Sequence, residues 1–171
     1  PDKEEVYYQA MRDKWTERLT GNSYWAGDAT SQEYKNILAE LDTTVDEILP
    51  LLKTDGGNVL FSDLELKLPS NVNTTNSDDS VNFATTVKRI QTLAKAWASK
   101  GSKYYQNTDL KDKILYSMDW FYTNWYNENL DNKGMFGNWF HWWIGIPQNL
   151  SGAIILMHDE MSKELLEKAA A

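Results

Sequence analysis

The chain has no cysteine in its 171 residues, which excludes a disulfide framework and any thiolate metal site. Its two histidines, His141 and His158, lie far apart, without the His-x-x-x-His spacing or paired carboxylate of a zinc centre. No metal and no cofactor is therefore expected. Basic residues are also few, 17 against 25 acidic, and the net charge of −8 argues against nucleic acid or an anionic membrane as a partner. Long apolar runs are missing as well. The stretch from Ala153 to Met157 is far short of the roughly 18 residues that a membrane span needs. The opening Pro1-Asp2-Lys3-Glu4 carries no signal-peptide pattern.

The composition present is that of a folding chain. Hydrophobic residues make up 42%, enough for one helical domain over residues 1–171 with a sizeable core. Helical period is plain in four segments. Ile37, Leu41, Val45, Ile48 and Leu52 form one stripe, opened by a Thr30-x-x-Glu33 capping box and kinked at Pro50. Phe83, Val87, Ile90, Ala94 and Trp97 form a second, stopped near Gly101. Leu110, Ile114, Met118, Phe121 and Trp125 form a third behind Thr108 as N-cap. Leu150, Ile154, His158, Met161 and Leu165 form a fourth after Pro147, with His158 expected as a hydrogen-bonded core residue. A weaker stripe of Tyr8, Met11, Trp15 and Leu19 opens the chain. These patterns predict helices near 3–20, 31–53, 80–99, 108–127 and 148–168, with no confident strand. The stretch 55–80 is long for a structureless loop, and its polar run Asn71–Asp79 reads as surface. Asn73 and Asn149 head N-x-S/T sequons, which matter only in a eukaryotic secretory setting.

The most informative residues are Asn138-Trp139-Phe140-His141-Trp142-Trp143-Ile144-Gly145-Ile146-Pro147. Five rings in succession cannot all be buried on one face, because a helix spreads them around its circumference and a strand alternates them. Some must point outward. An exposed ring in a cleft suits the C–H face of a pyranose sugar, whereas a plug of tryptophans closing a helical core is the plainer alternative. Trp139 and Phe140 are expected to show ring faces to solvent, with Trp142 or Trp143 packed inward.

The same residues carry a family likeness. The segment resembles the N-W-W-x-x-E-I-G-I-P signature of the family 8 polysaccharide lyases, with Phe140 in place of the second Trp and Trp143 in place of the Glu. The resemblance extends along the chain. Lys14-Trp15 with Leu19-Thr20-Gly21 is similar to the family's opening helix, Phe61-Ser62-Asp63-Leu64 to its L-W-S-D-L turn, and Lys100-Gly101-Ser102 with Tyr104-Tyr105 to its K-G-S-x-L-Y. Asp119-Trp120 and Asn124-Trp125-Tyr126-Asn127 stand where that family has W-x-x-x-N-x-Y. Periodicity alone admits a bundle or stacked hairpins. The resemblance implies an all-α fold of antiparallel helical hairpins forming the first half of an incomplete α/α toroid.

It also implies a bacterial, secreted or cell-surface lyase that cleaves a uronate-containing polysaccharide of the hyaluronan, chondroitin or xanthan type by β-elimination. Such a reaction needs a group to neutralise the uronate, a base, and an acid for the leaving oxygen. The family's Asn, His, Tyr and Arg for these tasks lie beyond the aromatic signature, and after Pro147 this chain has no matching Asn, His158 as its only histidine, and no Tyr or Arg. No catalytic residue is therefore assigned. By resemblance Trp139 and Phe140, with Asn138, bind the sugar chain in an aromatic substrate-patch loop at 136–147, and His141 and Trp142 flank the cleft. The implied partners are an acidic polysaccharide, the remaining half of the toroid and its β-domains, and a second copy at an exposed toroid edge. The charge of −8 requires that positive charge for a polyanion come from elsewhere. The competing classes are a non-catalytic carbohydrate-binding helical module, a purely structural helical domain, and a glycoside hydrolase using two of Asp119, Glu128 and Asp131.

Overall fold

A computed structural model describes residues 2–71, 76–129 and 136–171. The sequon at Asn73, the carboxylate of Asp131 and most of the Asn129–Gly137 loop lie outside them. The described residues form six α-helices: α1 (Lys3–Thr20), α2 (Gln32–Ile48), α3 (Val81–Ala98), α4 (Thr108–Asn124), α5 (Ile146–Met157) and α6 (Lys163–Ala170). The all-α expectation holds, and among the described residues the single β feature is an isolated antiparallel bridge between Leu52 and Phe61.

The helix ends show what the sequence pattern placed one residue off. Ser31, not Thr30, caps α2 by accepting from Tyr34 N, while Thr30 Oγ1 is occupied by Ala26 N at 2.7 Å. Asn107, not Thr108, caps α4 through a 2.8 Å bond from Leu110 N. Helix α1 ends at Gly21, whose φ of 63° is the left-handed conformation that only glycine adopts cheaply; its N–H closes on Glu17 O. Pro50 sits in a 3-10 turn at Leu49–Leu51 that finishes α2 early. The helix expected over 148–168 is broken: a 3-10 turn at His158–Glu160 separates α5 from α6, and Ser162 caps the new helix through Leu165 N. His158 is accordingly half-buried at this turn, paired with Asp159 at 3.1 Å.

Helix α3 is the centre of the molecule. Phe83, Val87, Ile90, Leu93, Ala94 and Ala96 are buried on more than one side of it, and α1, α2, α4 and α5 all contact it. A helix apolar around most of its circumference belongs inside a bundle. Leu110, Ile114, Met118 and Phe121 of α4 face it as the stripe predicts. Two stripes are less buried than the rest. On α2 the buried residues are Tyr34, Leu38, Val45 and Ile48, and Ile37 is exposed. On α1, Tyr8, Met11 and Trp15 are exposed together with Val6 and Tyr7, so most of this helix's apolar surface has no cover.

The stretch after α2 is held by the core. Leu60, Phe61, Leu64 and Leu66 are buried, and Trp120 Nε1 donates to Gly57 O at 2.9 Å. Asp63 takes both terminal nitrogens of Arg89 on α3 at 2.7 Å, a bidentate pair. Its described polar run ends in a 3-10 turn at Ser77–Ser80 that leads directly into α3.

Candidate functional site

The aromatic segment is helical from Trp139 onward, not the substrate-patch loop that the resemblance implies. Trp139 and Phe140 form a first turn, His141–Gly145 a π turn closed by Ile146 N on His141 O, and α5 continues without a break. Pro147 occupies the first turn of α5. Asn138 Oδ1 accepts from Phe140 N at 3.0 Å and so starts the turn, which leaves its Nδ2 with no partner among the described residues.

The rings divide between inside and outside. Trp142 is 3% exposed, donates Nε1 to Phe136 O at 2.6 Å, and lies 5.3 Å from the ring centroids of both Phe83 and Phe136. Phe83 in turn meets Trp125 edge-on at 4.9 Å. This four-ring cluster fixes the segment to α3. Trp139 and Phe140 are 65% and 46% exposed and meet edge-to-face at 6.1 Å, as their expected solvent-facing placement requires. Trp143 and Ile144 also face solvent. Of the two tryptophans offered for inward packing, Trp142 is the one that turns in.

Beneath them sits Ser80, fully buried, which sequence reasoning passed over. Its Oγ accepts from Asn138 N at 2.9 Å and lies 2.7 Å from His141 Nδ1. No local pattern marks this serine, because its partners are about sixty positions away. His141 is half-buried on the π turn.

Residues 136–147 include no carboxylate, tyrosine, lysine or arginine. The segment can stack a flat apolar face and donate hydrogen bonds, and His141 is its one imidazole. Of the acidic residues named for hydrolysis, Asp119 and Glu128 are described, and neither is part of this segment. Asp119 is held by Lys168 Nζ at 2.7 Å, a contact that raises the ammonium's pKa, and Glu128 is exposed. A separate cleft of about 310 Å³, lined by Arg12, Asp13, Trp97, Gln106, His158 and Glu160, lies away from the rings.

The model of polysaccharide lyase family 8, N-terminal alpha-helical domain, matches residues 15–171. This chain belongs to that family. It is 30% identical over 160 residues to a xanthan lyase of Bacillus sp. (strain GL1), covering 91% of this chain and 15% of that protein. It is 26% identical to the hyaluronate lyase HylB of Enterococcus faecalis over 157 residues, 92% of this chain and 14% of that one. The chain thus spans about one-seventh of the length of these curated relatives. Among solved structures, a Paenibacillus xanthan lyase superposes with a TM-score of 0.77 at 22% identity, over 98% of this chain and 14% of the other. A Streptomyces coelicolor A3 chondroitin AC lyase in complex with chondroitin sulphate gives 0.71 at 20% identity, over 95% and 20%. The fold is that of the helical part of these lyases, which bears out the partial α/α toroid.

Proposed function

We propose that residues 1–171 form one helical unit that seats the sugar chain in a bacterial, secreted or cell-surface polysaccharide lyase acting on a uronate-containing polymer by β-elimination. The observation that carries this reading is the pair of exposed rings, Trp139 and Phe140, held outward by the buried Trp142 beside them. A ring fixed in this way stacks on a pyranose face with little loss of side-chain freedom. Asn138, whose amide nitrogen is unpartnered among the described residues, supplies a donor for a sugar hydroxyl at the platform's edge. The carboxylate-neutralising group, base and acid come from the part of the protein outside this chain, since stacking alone gives binding and no rate. The uncovered face of α1 is the edge where that further part, or a second copy, would dock.

Two measurements test this. Titration of the chain with oligosaccharides of hyaluronan, chondroitin and xanthan should change its tryptophan fluorescence, and Trp139→Ala should abolish the response while the helical circular dichroism stays. An unchanged affinity in that variant removes the platform. Incubated with the three polymers, the chain should give no unsaturated uronate absorbance; product formation abolished by a change within this chain would place the active site here instead.

A further inference from the structure

We propose that Trp143 is a second stacking ring of the sugar platform, receiving the sugar unit next to the one seated on Trp139, with Phe140 and Ile144 as their apolar flank. The proposal rests on the platform reading above and extends it from one sugar unit to two.

Three residues of the aromatic turn are held on its inner side. Trp142 lies in the Phe83–Phe136 cluster, Ile146 is fully buried, and His141 Nδ1 lies 2.7 Å from the buried Ser80 Oγ. The other large side chains from Trp139 to Ile144 are all exposed, and they fall into two pairs four residues apart, Trp139 with Trp143 and Phe140 with Ile144. Side chains four apart on a helix are neighbours on one face. Four residues make about one turn in α or π geometry alike, so the pairing holds through the π turn at His141–Gly145. Trp143, at 66% exposure, is as open as Trp139 at 65%.

The two indoles are thus about 5–6 Å apart along the helix axis, four residues of helical rise. That is close to the length of one pyranose unit in a chain, so neighbouring units can each take one ring. Phe140 and Ile144 continue the apolar surface beside them. A Cβ placed on Gly145 would lie 3.9 Å from Phe140 Cε1, so the Phe140 ring reaches along the turn as far as that glycine.

Charge favours the same occupant. No Asp or Glu occurs between Asp131 and Asp159, in a chain with 25 acidic residues. Trp143 itself stands where the family signature carries Glu. A carboxylate on this face would repel a uronate, whereas an indole offers a flat apolar surface and no charge. Stacking on a C–H face does not depend on ionisation. Two rings therefore add affinity for a polyanion that the net charge of −8 opposes. A tryptophan serving only to cover another part of the protein would be indifferent to sugar.

Calorimetry with disaccharides and longer oligosaccharides of hyaluronan, chondroitin and xanthan separates the two roles. Trp143→Ala should weaken the best-bound longer oligosaccharide about twofold to tenfold, the range of one aromatic contact, and leave disaccharide binding at the parental value. Trp139→Ala should weaken both, and Trp143→Phe should recover part of the loss. Trp143→Glu should bind the longer chain less well than Trp143→Gln, with the gap closing as salt is raised. In the parent chain, the Trp143 indole resonances, assigned by their absence in Trp143→Phe, should shift on saturation with the longer oligosaccharide. Parental affinity of Trp143→Ala at every length, alongside lost affinity in Trp139→Ala, overturns the second ring and leaves the platform standing. A loss equal for disaccharide and longer chain also overturns it. Parental affinity in Trp139→Ala, or no binding by the parent chain, overturns the platform and this proposal with it. Trp143 resonances indifferent to saturating sugar overturn the contact even where a variant fails to fold.

Discussion

Gly137 and Ser80 are in such close apposition that a Cβ on Gly137 would lie 2.6 Å from Ser80 Oγ and 2.8 Å from its backbone nitrogen. Gly137 also has a φ of 72°, a conformation costly for any residue with a side chain. Gly137→Ala should therefore lower the unfolding free energy by about 1–3 kcal/mol from backbone strain, with the steric conflict added. Urea denaturation measures it. Because the strain falls at the start of the aromatic turn, oligosaccharide affinity should fall in the same variant.

The rings inside and outside the turn should respond differently to truncation. Trp142→Ala removes a buried ring from the Phe83–Phe136 cluster and leaves Phe136 O without its donor. A loss of about 3–5 kcal/mol is expected. Trp139→Ala should stay within about 0.5 kcal/mol of the parent, as befits an exposed side chain. Equal losses in the two variants would contradict the inside–outside division.

Acid should weaken the fold through two carboxylates. Arg89 beside Asp63 holds that carboxyl below its ordinary 3.8, and Lys103 followed by Tyr104 does the same for Asp46. A pKa lower in the folded state than in the unfolded one stabilises the fold above the unfolded value and is lost as pH falls through the folded one. Stability should therefore be level down to about pH 4 and decline below it. Both sites are solvent-accessible, so each effect is modest and reduced by salt. Urea midpoints taken from neutral pH downward should show a shallower decline in Asp63→Asn than in the parent.

The open face of α1 should make the chain self-associate. Tyr8, Met11 and Trp15 repeat at helical spacing and are all exposed, with Val6 and Tyr7 beside them. Sedimentation should shift with concentration, and Met11→Lys should reduce the shift without loss of helicity. A parent that stays monomeric at every concentration would show that this face needs no cover.

Much of this was legible in the sequence, and the misses have identifiable causes. The stripes of α3 and α4 were read correctly because their apolar residues all meet one core. The α1 stripe marks the helix at its expected bounds but not its exposure, because periodicity reports an apolar face and not whether anything packs on it. The stop at His158 was hidden because Leu150, Met161 and Leu165 keep their inward phase across the 3-10 turn, although Ser162 is a start signal in plain view. In the site, ring exposure could be argued from crowding alone. Ser80 could not, since a contact between distant residues leaves no local trace.

The π turn at His141–Gly145 makes the spacing of this segment as important as its chemistry. It lies between the residues that present Trp139 and Phe140 and the helix whose Ile146, Leu150 and Ala153 are locked into the core. Each residue of a helix advances the direction of its side chains by about 100°. Removing a single residue between Phe140 and Ile146 would leave α5 in place and swing the preceding turn about its axis. Trp139 and Phe140 would then face a different neighbour, and His141 would leave Ser80. One ring type can replace another here with modest effect, whereas a change of length by one residue rewrites which way the whole platform faces.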